Sequence, residues 1–285
     1  MLSHAIIPAA GLATRFLPAS KTVPKEMFPL YDRPVIHYIV EEAAAAAITN
    51  IVLVTSEGKE AIADYFDRIN PKFFQGTLPP HTMDELRHIE EIVEVTSVRQ
   101  KSQQGLGHAV LRGMSAVPTD PFAVMLPDML IVSATPDNVM VRMRQLYEEH
   151  GLPVIALMHV PDEDRSRYGM AEGIQRNGFF EIHRLVEKPG IHGTSSNLAI
   201  VGRYILPSAL GPILEKTTPG AKGEIQLTDG LNVLCQKHPI IGLVLDEKKD
   251  RVFDAGDKDG YAFANAFLAA RRIPRFIERI QELIK

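Results

Sequence analysis

The chain has one cysteine, Cys235, so it can form no intrachain disulfide and no cysteine-based zinc cluster. It has no surplus of basic residues: 31 Lys and Arg stand against 35 Asp and Glu, for a formal net charge of −4. That balance argues against a nucleic-acid partner, and any phosphate must be held by a few placed cations rather than by bulk charge. No apolar run reaches the roughly 18 residues that would suggest a membrane span. None of the ten histidines forms an HxxxH pair, and no Ser-His-Asp or Cys-His set declares itself. The N-terminus runs directly into a strand without a leader segment, so a cytoplasmic location is expected. With 285 residues, 45% of them hydrophobic, the chain can bury a large core in one domain or two.

The most informative stretch runs from Ala5 to Pro34. Ala5, Ile6 and Ile7 form a short apolar run ending at Pro8, as a buried strand would. Ala9, Ala10 and Gly11 follow. Small residues allow a flat ligand to approach the backbone, and Gly11 can take φ > 0. Two cations, Arg15 and Lys25, then flank a segment stiffened by Pro18, Pro24 and Pro29. A stiff loop behind a strand, with free N–H groups and held cations, suits a polyphosphate. The stretch is neither the dinucleotide G-x-G-x-x-G nor the P-loop G-x-x-x-x-G-K-[ST].

Further along, helices are expected at Pro34–Ala47 and Lys59–Phe66, with a strand apolar on both faces at Ile51–Val54 between them. This β-α-β-α start argues for a doubly wound sheet. A Pro- and Gly-rich loop at Asn70–Thr82 precedes a charged helix at Met83–Ile92. A strand at Val93–Val98 follows, then a helix opened by Gly105 and Gly107. Pro121–Leu126 is another buried strand, with Asp128 at its C-terminal end, where ligands bind in open α/β sheets. After a helix at Ala134–His150 and a strand at Val154–Val160, the pattern turns β-rich. Met170–Gly173 and Phe179–Val186 read as a hairpin around Asn177-Gly178, growing from the same sheet. A helix then ends at Cys235, a thiol expected to pack rather than react. Next come a strand at Ile240–Leu245, Asp254 near a second strand end, a helix at Lys258–Ala270 capped by Asp257, and a last helix at Arg275–Ile284. Singly, the polar residues are unremarkable. Gln100 reads as a loop amide, Asp128 equally as a cap or a metal ligand, and Glu187-Lys188 as a surface ion pair worth little. Gly223–Asp229 reads as a helix N-terminus.

In order, however, these stretches resemble the sugar-1-phosphate nucleotidyltransferases. The family signature G-x-G-T-R-x-x-P-x-x-K-x-x-P-K appears as Gly11-Leu12-Ala13-Thr14-Arg15-Phe16-Leu17-Pro18, then Lys21, Pro24 and Lys25. Glu26-Met27-Phe28-Pro29-Leu30 is similar to the bacterial branch that joins UTP to glucose 1-phosphate. Also similar are Arg99-Gln100 with Gly105-Leu106-Gly107-His108-Ala109, Leu126-Pro127-Asp128, Tyr168-Gly169, Val186-Glu187-Lys188-Pro189 and Asp254-Ala255-Gly256. The resemblance implies Arg15, Lys25 and Lys188 as catalytic cations. It implies Ala9, Ala10, Gly11, Glu26, Gln100 and Gly105 as nucleotide-binding residues, and Gly169 and Glu187 as sugar-binding ones. Asp128 and Asp254 would be the ligands of Mg²⁺, an oxygen-only set that suits this ion. Gln100 carries both a donor and an acceptor, which reading a pyrimidine edge requires. The implied partners are UTP, glucose 1-phosphate, UDP-glucose and pyrophosphate, with a homo-oligomer, dimer or tetramer.

The expected fold is α/β: one domain over 1–285 with a Rossmann-like mixed, mostly parallel central sheet flanked by helices and a small β-rich extension. Residues 1–133 would form the nucleotide half, 134–256 the sugar half, and 257–285 C-terminal helices that could touch another subunit. Three positions depart from the family pattern. Ala13 replaces a glycine, Ala255 a cysteine, and Met129 stands where some relatives carry an acid. Two alternatives stay open: a thymidylyltransferase or an enzyme for another sugar, and a non-catalytic sugar-nucleotide-binding paralogue.

Overall fold

Alternation along the first strand sets the architecture. In β1 (His4–Pro8), Ala5 and Ile7 enter one hydrophobic cluster and Ile6 another, all fully buried. In β4 (Asn50–Thr55), Ile51 and Leu53 join the first cluster and Val52 and Val54 the second. A strand apolar on both faces needs cover on both, and helices supply it. One face carries α1 (Val35–Ala45), α2 (Glu60–Asp64), α3 (Pro80–Ile92) and α5 (Val139–His150). The other carries α4 (Leu106–Met114), α6 (Leu210–Lys216) and α7 (Leu227–Cys235). Each fully buried Leu or Ile in these layers contributes roughly 1.5–3 kcal/mol.

This computed structural model describes residues 1–68, 80–190, 193–220 and 223–285. The loop expected at Asn70–Thr82 lies outside the described residues as far as position 79. From Pro80 onward the chain is already helix α3. Nine strands form the main sheet in the order β5 (Glu94–Arg99), β4, β1, β6 (Phe122–Met125), β11 (Leu198–Leu206), β8 (Val154–His159), β12 (Ile240–Val244), β10 (Phe180–Val186) and β9 (Met170–Gln175). The sheet is mixed, as expected, but it is not mostly parallel. The pairs β5–β4, β4–β1, β1–β6 and β8–β12 run parallel. The pairs β6–β11, β11–β8, β12–β10 and β10–β9 run antiparallel. The physical reason is β11, a nine-residue strand buried along its whole length that runs antiparallel to both neighbours. Apolarity on both faces reports burial, not direction.

Two short ribbons complete the fold. β2 (Pro29–Leu30) pairs with β3 (Arg33–Pro34). β7 (Met129–Ser133) pairs antiparallel with β13 (Asp250–Asp254), with Asp254 directly opposite Met129. No strand was expected at β7, and its register brings Asp254 beside Asp128. Asp257 caps α8 (Lys258–Arg272), its side chain accepting from Gly260 N at 2.8 Å. α8 packs Ala264 and Leu268 against Leu30, Val35, Leu130 and Ala255. The final helix α9 (Phe276–Ile284) has no buried residue, and Ile277, Leu283 and Ile284 are exposed. Among the described residues, no helix is long and apolar enough to cross a membrane.

Candidate active site

A cleft of about 820 Å³ opens at the C-terminal ends of β1, β5 and β6. Ala10, Gly11, Arg15, Lys25, Glu26, Gln100, Gly105, Asp128, Gly169, Glu187, Lys188 and Asp254 all line it. The sequence-predicted residues are thus brought together, with one exception. Ala9 is fully buried, and its N–H is spent on Val54 O at 2.8 Å. It shapes the turn after β1 from behind and does not offer that donor to a ligand.

The loop after β1 also differs in its strained residue. Gly11 does not adopt a left-handed conformation, whereas Ala13 does, with φ 51° and ψ 35°. Ser20 Oγ donates to Ala13 O at 2.7 Å and braces it there. An L-residue in this region costs roughly 1–2 kcal/mol relative to glycine, so the alanine is a tolerated strain rather than a broken loop.

The cationic arm lies in contact with the carboxylates. Lys25 Nζ donates to Asp128 Oδ2 at 2.5 Å. Burial pushes the Lys25 ammonium down, but Asp128 and Glu26 outweigh it and hold the net value above the ordinary lysine range. Burial likewise pushes the Asp128 carboxyl up, and Lys25 more than reverses this, so Asp128 stays ionised. Asp254 behaves oppositely. Burial and the Asp128 charge both raise it, and the Gly256 N–H and the Arg15 guanidinium offset this only in part.

Gly256 defines where these groups meet. A Cβ built there would lie 2.7 Å from Asp128 Oδ2, 2.9 Å from Asp254 Oδ1 and 3.2 Å from Arg15 Nη2. Two carboxylates and a guanidinium therefore converge on one small space that only a hydrogen side chain leaves open. No group of three or more metal-ligating side chains occurs among the described residues. A pair of carboxylates is nonetheless the usual protein share of a Mg²⁺ site whose other ligands are phosphate oxygens and water. Met129, at the variable acidic position, is buried, and its carbonyl accepts from the fully buried Arg203 at 2.7 Å.

Glu26 is 2% exposed, and both its oxygens accept from Lys59 Nζ, at 3.0 and 2.9 Å. Gln100 is 4% exposed. Gly105, with φ 93°, sits so close to Ile225 that a Cβ would fall 2.7 Å from its carbonyl oxygen. The Gly223–Asp229 segment thus clamps the loop that carries Gly105: Ile225 N donates to Gln104 O and Gly107 N to Ile225 O. On the opposite wall, Thr228 Oγ1 donates to Glu187 Oε2 at 2.7 Å, and a Cβ on Gly169 would approach the same pair. Lys188 is exposed, lies 3.4 Å from Glu187, and has φ 39°.

Three further residues line or support the cleft. Arg167 and Tyr168 line it with Gly169 and Asp254. Arg167 Nη2 donates to Asp257 Oδ2 at 2.6 Å and to Asp254 Oδ2 at 3.4 Å. The Tyr168 phenol, raised to about 12 by burial and Asp254, remains a neutral donor. Gln103 Nε2 donates to Ala10 O. Arg167 and Gln103 carry no spacing signal, because their partners lie far away in sequence, whereas Tyr168 stands beside Gly169 in a stretch the sequence does mark. Cys235 donates to Ile182 O, and burial raises its thiol, so it packs as expected.

Comparison with known proteins agrees with this geometry. The family model described as nucleotidyl transferase matches residues 4–271. A UTP–glucose-1-phosphate uridylyltransferase of Haemophilus influenzae is 42% identical over 267 residues, covering 90% of each chain. One from Bacillus subtilis is 40% identical over 259 residues, covering 90% of this chain and 86% of the relative. A crystal structure of UDP-glucose pyrophosphorylase complexed with UDP-glucose superposes with a TM-score of 0.88 at 37% identity, covering 95% of this chain and all of the other. The chain belongs to the nucleotidyl transferase family.

Proposed function

We propose that this chain joins UTP to glucose 1-phosphate, giving UDP-glucose and pyrophosphate. The observation that carries this reading is the convergence of Asp128, Asp254 and Arg15 on the space above Gly256, in a cleft whose nucleotide and sugar walls are both furnished. The relatives named for this reaction support it over most of the chain.

The sugar phosphate is already an anion at neutral pH, so its oxygen attacks the α-phosphorus without a general base, and pyrophosphate leaves. The obstacle is that one anion must approach another. Arg15 and Lys25 neutralise the triphosphate, and Lys188 receives the sugar phosphate. Gln100 and Gly105 hold the base edge, with Ala10 and Gly11 beneath it and Glu26 behind. Glu187, oriented by Thr228, accepts from sugar hydroxyls next to Gly169. Asp128 and Asp254 are the carboxylates that would hold Mg²⁺, which when bound supplies further charge stabilisation at the reacting phosphate. Lys25, beside Asp128 on the cleft wall, would face the triphosphate from there. Fixed placement of the two substrates supplies much of the remaining rate.

The same reading includes a nucleotide half at 1–133, a sugar half at 134–256, a cytoplasmic location and a homo-oligomer. The exposed apolar residues of α9 support a contact with another subunit. The retained cations and carboxylates favour an enzyme over a non-catalytic paralogue. Chromatographic measurement of UDP-glucose formation by the wild type and by Asp128→Ala tests the proposal. Product from the wild type and none from a folded variant is expected. Near-normal turnover by the variant would overturn the assignment of Asp128.

A further inference from the structure

Gln100 is held in a way that fixes which end of its amide meets the base. Its backbone N–H donates to Thr55 O at 2.8 Å, and its side chain is almost wholly buried at the cleft wall. Nε2 reaches Gly105 O at 3.2 Å and His108 Nδ1 at 2.9 Å. Gly105 O can only accept. It is itself pinned at the start of α4, where it also accepts from Ala109 N at 3.1 Å. Turning the amide over would set two oxygens against each other there. Nε2 therefore faces Gly105, and both its hydrogens are used once His108 Nδ1 accepts the second. That role requires a neutral His108 with its proton on Nε2. Burial and the neighbouring Arg112 both lower its pKa, which agrees. Among the described residues no donor reaches Gln100 Oε1, so the amide presents a bare acceptor to the cleft.

We infer that His108 is a specificity-determining positioning residue: by locking the Gln100 amide it makes the base pocket select a pyrimidine with an N–H at position 3 over one with a bare nitrogen there. Uracil and thymine carry that N–H, whereas cytosine presents an acceptor and meets Oε1 acceptor to acceptor. Without His108 only the 3.2 Å contact to Gly105 opposes rotation of the amide, and the turned amide offers cytosine a donor. The inference rests on the nucleotidyltransferase reading for the choice of ligand, but not on turnover.

The test measures binding of uridine 5′-monophosphate and cytidine 5′-monophosphate by calorimetry in the wild type, His108→Phe and His108→Asn. Phenylalanine keeps the bulk of the ring and removes the acceptor; asparagine returns an acceptor at the position of Nδ1. The uridine-to-cytidine affinity ratio is expected to fall about tenfold in His108→Phe, the worth of one hydrogen bond, and to stay within about twofold of wild type in His108→Asn. A His108→Leu variant makes the same comparison should phenylalanine not fit. An unchanged ratio in folded His108→Phe or His108→Leu would overturn the inference. Selectivity lost equally in the asparagine variant would also overturn it, since bulk rather than the acceptor would then matter. Failure of the wild type to form UDP-glucose, with its binding preference for uridine intact, would instead count against the catalytic reading alone.

Discussion

Replacing Gly256 by alanine adds one methyl group at the point where Arg15, Asp128 and Asp254 converge. The backbone accepts the change, because Gly256 does not lie in the left-handed region. The side chains do not: contacts of 2.7 and 2.9 Å to the two carboxylate oxygens are shorter than a real Cβ tolerates. Both carboxylates must retreat by some tenths of an ångström, and the space between them closes. Misplacement of reacting groups by about 1 Å costs on the order of 10²-fold in rate, about 2.7 kcal/mol of barrier. A fall of this order in kcat is expected for Gly256→Ala at saturating UTP and glucose 1-phosphate, with a higher Mg²⁺ requirement. The displaced atoms are the ends of flexible side chains, so the melting temperature should move by no more than about 2 °C, under 1 kcal/mol in a chain of this size. Coupled pyrophosphate release and a thermal melt on the same preparation check both halves. A kcat within threefold of wild type would refute the idea that this space is where the chemistry occurs.

Ala13→Gly should stabilise the protein. Relief of the left-handed alanine is worth roughly 1–2 kcal/mol, partly offset by roughly 0.4–1 kcal/mol of added freedom in the unfolded chain. A rise of about 1–3 °C in Tm is expected, and a fall would show that Ala13 is unstrained. Lys59→Met strands the buried Glu26 carboxylate and should cost roughly 3–5 kcal/mol. Adding Glu26→Leu should recover most of that loss in a denaturant titration. A single variant as stable as wild type would mean that the Glu26–Lys59 contact contributes nothing.

Much of the site was legible because its residues cluster in short ordered stretches. Arg15, Lys25, Gln100, Asp128, Glu187, Lys188 and Asp254 all reach the same cleft. The left-handed position in the first loop was less legible, since Gly11 is the residue free to take positive φ and the strain falls instead on Ala13. What escaped were contacts closed only by the fold. Arg167 reaches Asp254 and Asp257 from a turn some ninety positions away, and nothing local marks it. Thr228 looked like part of a helix start, and only the packing of α7 against β10 puts its hydroxyl on Glu187. The direction of β11 was likewise invisible, because burial on both faces is common to parallel and antiparallel neighbours. Met129 stands where some relatives carry an acid. Its place is the first residue of β7, packed in the core, where its register with Asp254 matters more than its side chain.

The most direct test of the account is pyrophosphate release from the purified protein with Mg²⁺ and glucose 1-phosphate, with UTP and dTTP supplied in parallel. The account predicts strong release with UTP that stops when the divalent ion is chelated. Release with dTTP alone would contradict the uridylyl assignment. No release with either nucleotide, from protein that still binds UTP, would contradict the claim that the cleft is catalytic.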